Sequence, residues 1–430
     1  MQHAPVDVEA NRASTTPNIA ANADNYVEEQ DYPEGGLAAW LVVVGAWCAM
    51  IPPIGLLNTI GVLQAWVAEH QLKDYSESTV GWIFSTYAFF LYICGAQVGS
   101  VFDRYGIKPL VIPGSIGMAA ATMCMSVSKE YYQFLLSFGV LGGLSASLLF
   151  TPSISTVGHW FSKRRALATG IACTAGGTGG IGFPFIILYL APRVGYPWAI
   201  RIIGFINAGM SLIACILLKT RIPPNKHAGA AIDLVALREP PYAATTVAIF
   251  LIEFAIFIPL TYVPSYAIHV GVEPQHAYRL IALLNVGSVP GRALPGYLAD
   301  RFGRFNVMII TSLVCSVFIF ALWLPSGASE PAIAAFAVMF GFWSGAAISL
   351  TPVCIAQVCK IEDYGKRNGT TYSLSSVAAL VGIPIAGAIL GDGGGYSGLI
   401  AFGGAMYAAS TLAFVAARII SGPKSLRAVF

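Results

Sequence analysis

The chain has 430 residues, 56% of them hydrophobic and only 10% charged, with a mean hydropathy of +0.69 and a formal net charge of +3. Soluble proteins carry about 25% charged residues, so this composition argues against a water-exposed globule and makes lipid the expected solvent. The small net charge gives no reason to expect nucleic acid, and eight cysteines without a Cys-x-x-Cys pair read as buried hydrophobes, not as a disulfide framework or metal site.

Residues 1–36 are polar and lack a basic-then-apolar leader, so a disordered tail is expected there, not a cleaved signal peptide. Beyond them the chain becomes a series of apolar runs, each near the roughly 20 residues a helix needs to cross hydrocarbon. Twelve spans are predicted, at 37–60, 79–101, 108–128, 131–155, 165–190, 197–218, 243–268, 277–299, 305–324, 331–356, 368–391 and 397–420. The shortest connections fall at Lys129-Glu130 and Gly391–Gly395. Pro52, Pro53 and Gly55 are expected to break the first helix.

An even number of spans puts both termini on one side. With that side inside, the inner segments collect Arg104, Lys108, Lys163, Arg164, Arg165, Arg301, Arg304, Lys366 and Arg367 among others, whereas the outer loops hold Lys73, Lys129, Arg193 and Arg279. The positive-inside rule then makes both termini cytoplasmic. On that topology the acceptor-like Asn368-Gly-Thr370 is not glycosylated. The long basic segment 219–242 separates two copies of one unit. Gly99-x-x-x-Asp103-Arg104-x-Gly106 returns as Gly296-x-x-x-Asp300-Arg301-x-Gly303. Thr151-Pro152 returns as Thr351-Pro352, Lys163-Arg164 as Lys366-Arg367, and Gly182-x-Pro184 as Gly382-x-Pro384. The expected organisation is a tail (1–36), a six-helix bundle (37–218), a linker (219–242), a second six-helix bundle (243–420) and a short tail (421–430).

Six plus six helices with the doubled Gly-x-x-x-Asp-Arg-x-Gly string resemble the major facilitator superfamily, over nearly the whole chain after the tail. Pro33-Glu34-Gly35-Gly36 followed by Trp40, the run His159–Gly170, and Leu284-Asn285 through Arg292 to Arg301 are similar to the monocarboxylate-porter branch, especially its fungal members. The resemblance implies an all-α membrane fold, alternating-access transport and a gating role for Gly99, Asp103, Arg104, Gly106 and Lys108 with Gly296, Asp300, Arg301 and Gly303. It does not imply proton–lactate symport: Asn58 stands near the position of a lysine in animal lactate carriers, and Ser288 replaces an aspartate four residues before the helix-eight arginine.

Charge inside hydrocarbon costs about 2.5–3.5 kcal/mol on insertion scales and calls for a reason. Arg292 lies roughly 12 Å into the eighth span and Glu253 roughly 15 Å into the seventh, both from the cytoplasmic end, at 1.5 Å per residue. One reading gives Arg292 an anionic substrate group and Glu253 a proton or a competing role; the other makes them an ion pair fastening two helices. Asn58, Asn285, Tyr262, Gln97 and Gln357 are candidate cavity residues or interhelical hydrogen-bond partners. Arg201 is expected to reach the outer interface. Gly177-x-Gly179-x-x-Gly182 matches a dinucleotide fingerprint only as a string, because it sits in an apolar span with no preceding strand. The expected protein is therefore a monomeric, cofactor-free carrier of a small organic anion or weakly acidic metabolite in the plasma membrane, with proton coupling an open possibility. Alternatives are an efflux pump for a specialised metabolite and a non-transporting receptor; no catalytic cluster supports an enzyme.

Overall fold

The computed structural model describes residues 32–75, 77–223, 233–390 and 395–422. Most of the tail 1–36, the middle of the linker, the predicted connection at 391–394 and the last residues from 423 therefore lie outside the described residues. Apart from short turns the described chain is helical. Twelve long helices follow in order: α1 Gly36–Glu69, α2 Thr79–Tyr105, α3 Lys108–Val127, α4 Tyr131–Gly158, α5 Arg165–Val194, α6 Tyr196–Leu217, α7 Pro240–His269, α8 Pro274–Phe302, α9 Arg304–Trp323, α10 Glu330–Gln357, α11 Ile361–Ile389 and α12 Gly395–Ser421. Eleven are apolar enough along their length to cross a bilayer. The twelfth, α8, is as long as its neighbours at 29 residues but carries Arg279, Arg292, Asp300 and Arg301. Side chains such as Ile116 (66% exposed), Leu212 (64%), Ile216 (64%) and Leu412 (71%) face outward, as helices solvated by lipid require.

One boundary differs from the expectation for a physical reason. α1 is not broken at Pro52-Pro53 but runs through them to Glu69. Proline withdraws a donor but is tolerated within a membrane helix that neighbouring helices support, and on the turns that follow Tyr87 Oη donates to Pro53 O (2.9 Å) and Thr59 Oγ1 to Gly55 O (2.7 Å). The extra turns beyond residue 60 extend a wall of the cavity described below. The tight Lys129-Glu130 connection does exist, and Gln133 Oε1 stabilises it by accepting from Lys129 N (2.8 Å) and Glu130 N (3.2 Å).

Helix packing rests on bare backbone. α8 meets α10 where a Cβ on Gly287, Gly291 or Gly341 would overlap the carbonyl oxygen of Val338, Phe342 or Leu284 respectively. α2 meets α11 in the same manner, with Gly95 and Gly99 facing Gly369 and Gly365. Small residues let helices approach closely in a solvent that offers no hydrophobic drive for association. α5 packs against both α1 and α8, and α7 against α11 and α12. Gly291→Val should therefore force α8 from α10, at a cost of about 1–3 kcal/mol or more. The readout is a lower melting temperature and lower monodisperse yield in detergent, whereas Gly209→Ala, with no atom near its Cβ position, should leave both unchanged.

Candidate functional site: a central cavity above a doubled latch

The string repeated at Gly99 and Gly296 forms two latches at the end of the helices where α1 begins. Each residue type has a task. Gly99 and Gly296 allow backbone contact, since a Cβ on Gly99 would overlap Gly365 O and one on Gly296 would stand 2.5 Å from Ala166 O. Gly106 (φ 79°) and Gly303 (φ 95°) end α2 and α8 in a conformation that suits glycine. Between them, Asp103 Oδ2 accepts from Lys366 N (2.7 Å) at the start of α11. Asp300 accepts from Ala166 N (3.0 Å) and Leu167 N (2.9 Å) at the start of α5. A carboxylate over free N–H groups at a helix N-terminus gains both hydrogen bonds and the helix-dipole interaction.

Neither aspartate pairs with its neighbouring motif arginine; each caps a helix of the other repeat. Arg104 and Arg301 point outward, stacked over Tyr105 (5.2 Å) and Tyr297 (4.5 Å), and Lys108 is exposed. The working cation is one that spacing did not single out, Arg304: it lies 3.8 Å from Asp300, donates to Gln357 Oε1 (2.6 Å), and donates to Ser162 O. Gln357 thus belongs to the latch, and Gln97 is exposed and away from the cavity.

Glu34 adds a further cap, accepting from the backbone of Ser162 (2.7 Å), Lys163 (2.6 Å) and Arg164 (3.1 Å). In the second repeat, Glu239 instead grips the Arg367 side chain through two bonds (2.6 and 2.7 Å), and Asp233 pairs with Lys366 Nζ (3.2 Å). Tyr364 is wedged between Gly158 and Pro352, donating to Pro352 O (3.1 Å). His159, just beyond α4, is pushed down to about 3 by burial and by Arg165 and Arg221, so it stays neutral at physiological pH.

Away from the latch the helices part around a cavity of about 780 Å³. Its wall runs from Arg292 to Glu69, Trp82 and Ile268, so it opens at the end opposite the latch. Arg292, Glu253, Asn58, Asn285 and Tyr262 all line it. Arg292 is 1% exposed; Nη1 donates to Cys173 O (2.6 Å) while Nε has no partner. The guanidinium fits because α5 is bare there, a Cβ on Gly176 overlapping Nη1. Asn58 Nδ2 donates to Gly176 O (2.9 Å), and Asn285 Oδ1 lies 2.6 Å from the Cβ position of Gly180. Gly176 and Gly180 of the fifth span therefore seat three side chains from two other helices.

Glu253 is 3% exposed, and among the described residues it forms no ion pair with Arg292 or any other cation. The fastening ion pair between α7 and α8 is not made. Sequence reading also missed the aromatic wall: Tyr92 and Tyr372 stack at 5.4 Å, and Phe150 meets Tyr372 edge-on at 5.4 Å. An aromatic in an apolar span carries no signal of its own, which is why these escaped. Arg201 is half-buried, bonded to Ser126 Oγ (3.3 Å) and stacked on Trp198 (5.0 Å), remote from the cavity.

A bundle of apolar helices around a polar-floored cavity, open at one end and latched at the other, defines a membrane carrier. The family follows from comparison: the chain belongs to the Major Facilitator Superfamily, whose model matches residues 36–336 and 280–428. It is 38% identical to the fujikurins efflux protein of Gibberella fujikuroi, over 93% of this chain and 86% of that one. It is 35% identical to the riboflavin transporter of Saccharomyces cerevisiae, covering 88% and 77% of the two chains. The crystal structure of a human organic anion transporter has the same fold, with a TM-score of 0.71 at 16% identity, over 88% of this chain and 100% of that one. The protein is thus an integral multi-pass membrane protein of a family of transporters, not of enzymes.

The latch predicts a chemical signature. Burial pushes the Cys359 thiol, near Asp103 and Arg165, up to about 12, so little thiolate is present for alkylation. In a background retaining only Cys359, the pair Asp103→Asn with Asp300→Asn should speed maleimide labelling several-fold by opening this end. Unchanged labelling would show that the carboxylates do not hold it shut.

Proposed function

We propose that this transporter exports a drug-sized, weakly acidic specialised metabolite by alternating access. The observation that carries the reading is a buried, incompletely paired Arg292 on the floor of a 780 Å³ cavity walled by aromatics. Cavities of roughly 300–1,000 Å³ suit drug-sized ligands, and a three-carbon monocarboxylate would leave most of this one empty. The efflux role of the Gibberella fujikuroi relative supports the direction. Carriers of this kind place substrate near the bilayer midplane between repeats, where Arg292 receives the anionic group and Glu253 exchanges a proton or competes for Arg292. Asn58, Asn285 and Tyr262 complete the binding residues, with Gly99, Asp103, Gly106, Gly296, Asp300 and Gly303 forming the gate.

The internal repeat supports two six-helix halves, 37–218 and 243–420, joined by the linker 219–242, with both termini cytoplasmic and the chain acting as a monomer in the plasma membrane. On that orientation the latched end is cytoplasmic and the conformation faces outward. The aromatic, basic and Gly-rich similarities support membership of the monocarboxylate-porter-like branch, with a different cargo.

The test is proton-driven accumulation of aromatic and aliphatic weak acids in inside-out vesicles at two pH values. Arg292→Ala should lower acid transport at least about tenfold, since it removes the charge that a buried anion needs. Glu253→Gln should retain binding but lose the acceleration by a proton gradient. Transport that survives Arg292→Ala with unchanged substrate affinity would exclude the assignment, and absence of any flux would favour a receptor.

A further inference from the structure

We propose that the cavity floor selects acids that carry an N–H or O–H donor beside the anionic group, N-acylated amino acids being the simplest such class. The inference rests on the reading above that Arg292 receives an acidic group. It concerns the two asparagines beside it. Asn285 is 2% exposed and donates Nδ2 to Ile281 O (3.0 Å); Asn58 donates Nδ2 to Gly176 O (2.9 Å). A backbone carbonyl only accepts, so both amide groups are oriented by chemistry, nitrogen toward the helix backbone. Each presents its Oδ1, and among the described residues no donor reaches either oxygen.

The two side chains bracket one glycine. The Cβ position of Gly180 lies 2.6 Å from Asn285 Oδ1 and 2.8 Å from Asn58 Cβ. One turn earlier on the same ridge, Gly176 faces the Arg292 guanidinium and accepts from Asn58. The floor thus brings one cation and two asparagines together, all three residues lining the cavity. A carboxylate offers acceptors only. It satisfies Arg292 but leaves the amide oxygens facing an apolar ligand body, and an unpaired buried acceptor carries a desolvation cost. A ligand with N–H or O–H within about two bonds of the acid satisfies both, while its apolar body lies along the Tyr92–Tyr372 stack.

N-acetyl-phenylalanine and O-acetyl-phenyllactate test this, because they share charge and shape and differ by N–H against oxygen. Binding of each to the full-length protein in nanodiscs is measured by titration calorimetry. The N–H compound should bind at least about tenfold more tightly, the discrimination expected of a site built around a specific hydrogen bond. In Asn58→Leu and in Asn285→Leu the ratio of the two affinities should fall toward one. Equal affinities for the wild-type protein overturn the inference while leaving the acidic-ligand reading intact, and so does a ratio that persists in both variants. Binding of neither compound, or binding indifferent to Arg292→Ala, overturns the acidic-ligand reading and this inference with it.

Discussion

Gly170, Gly176, Gly177 and Gly180 give α5 a face of bare backbone where it meets α1 and α8. A Cβ on Gly170 would overlap Arg292 O, one on Gly176 would overlap the guanidinium, and one on Gly177 would press on Val289. Because that face is bare, α8 lies close enough for Arg292 to donate to the carbonyl of Cys173. An arginine in this setting must take its hydrogen bonds from protein, since lipid offers none. The position of the charge, the cavity floor it defines and the asparagines beside it all depend on that one close approach.

The latch uses the same logic at the helix ends. Glycine brings the backbones together, and a carboxylate then reaches the N–H groups that the first turn of a helix leaves unpaired. The two latches are equivalent in plan and different in reinforcement. On α5, Glu34 and Asp300 together accept from five successive or near-successive backbone donors between Ser162 and Leu167. On α11, Asp103 is joined by ion pairs from the linker side, Asp233 with Lys366 and Glu239 with Arg367.

Helix positions were legible because lipid imposes a length on each apolar run, and most span ends fall within a few residues of those read from the sequence. The α1 extension beyond residue 60 was not, because Gln64 and Glu69 look like loop residues until the cavity they line gives them a reason to stay helical. Among the site residues, Arg292 and Glu253 announced themselves as charge where charge is costly. Tyr92 and Tyr372 gave no such sign: in an apolar span a tyrosine reads as packing. The motif arginines misled for the opposite reason, being prominent in the string and yet turned to solvent, while Arg304 stood outside it and performs the contact.

By itself the sequence determined the solvent, the number of long helices, the doubled unit and the presence of an intramembrane arginine. Each follows from local composition or from repetition along the chain. Only the tertiary structure decided which repeat each aspartate caps, that Glu253 and Arg292 share a cavity without pairing, and that the glycines of α5 serve as a seat. These are relations between residues on different helices, fixed by how closely the helices approach, and no linear pattern encodes that distance.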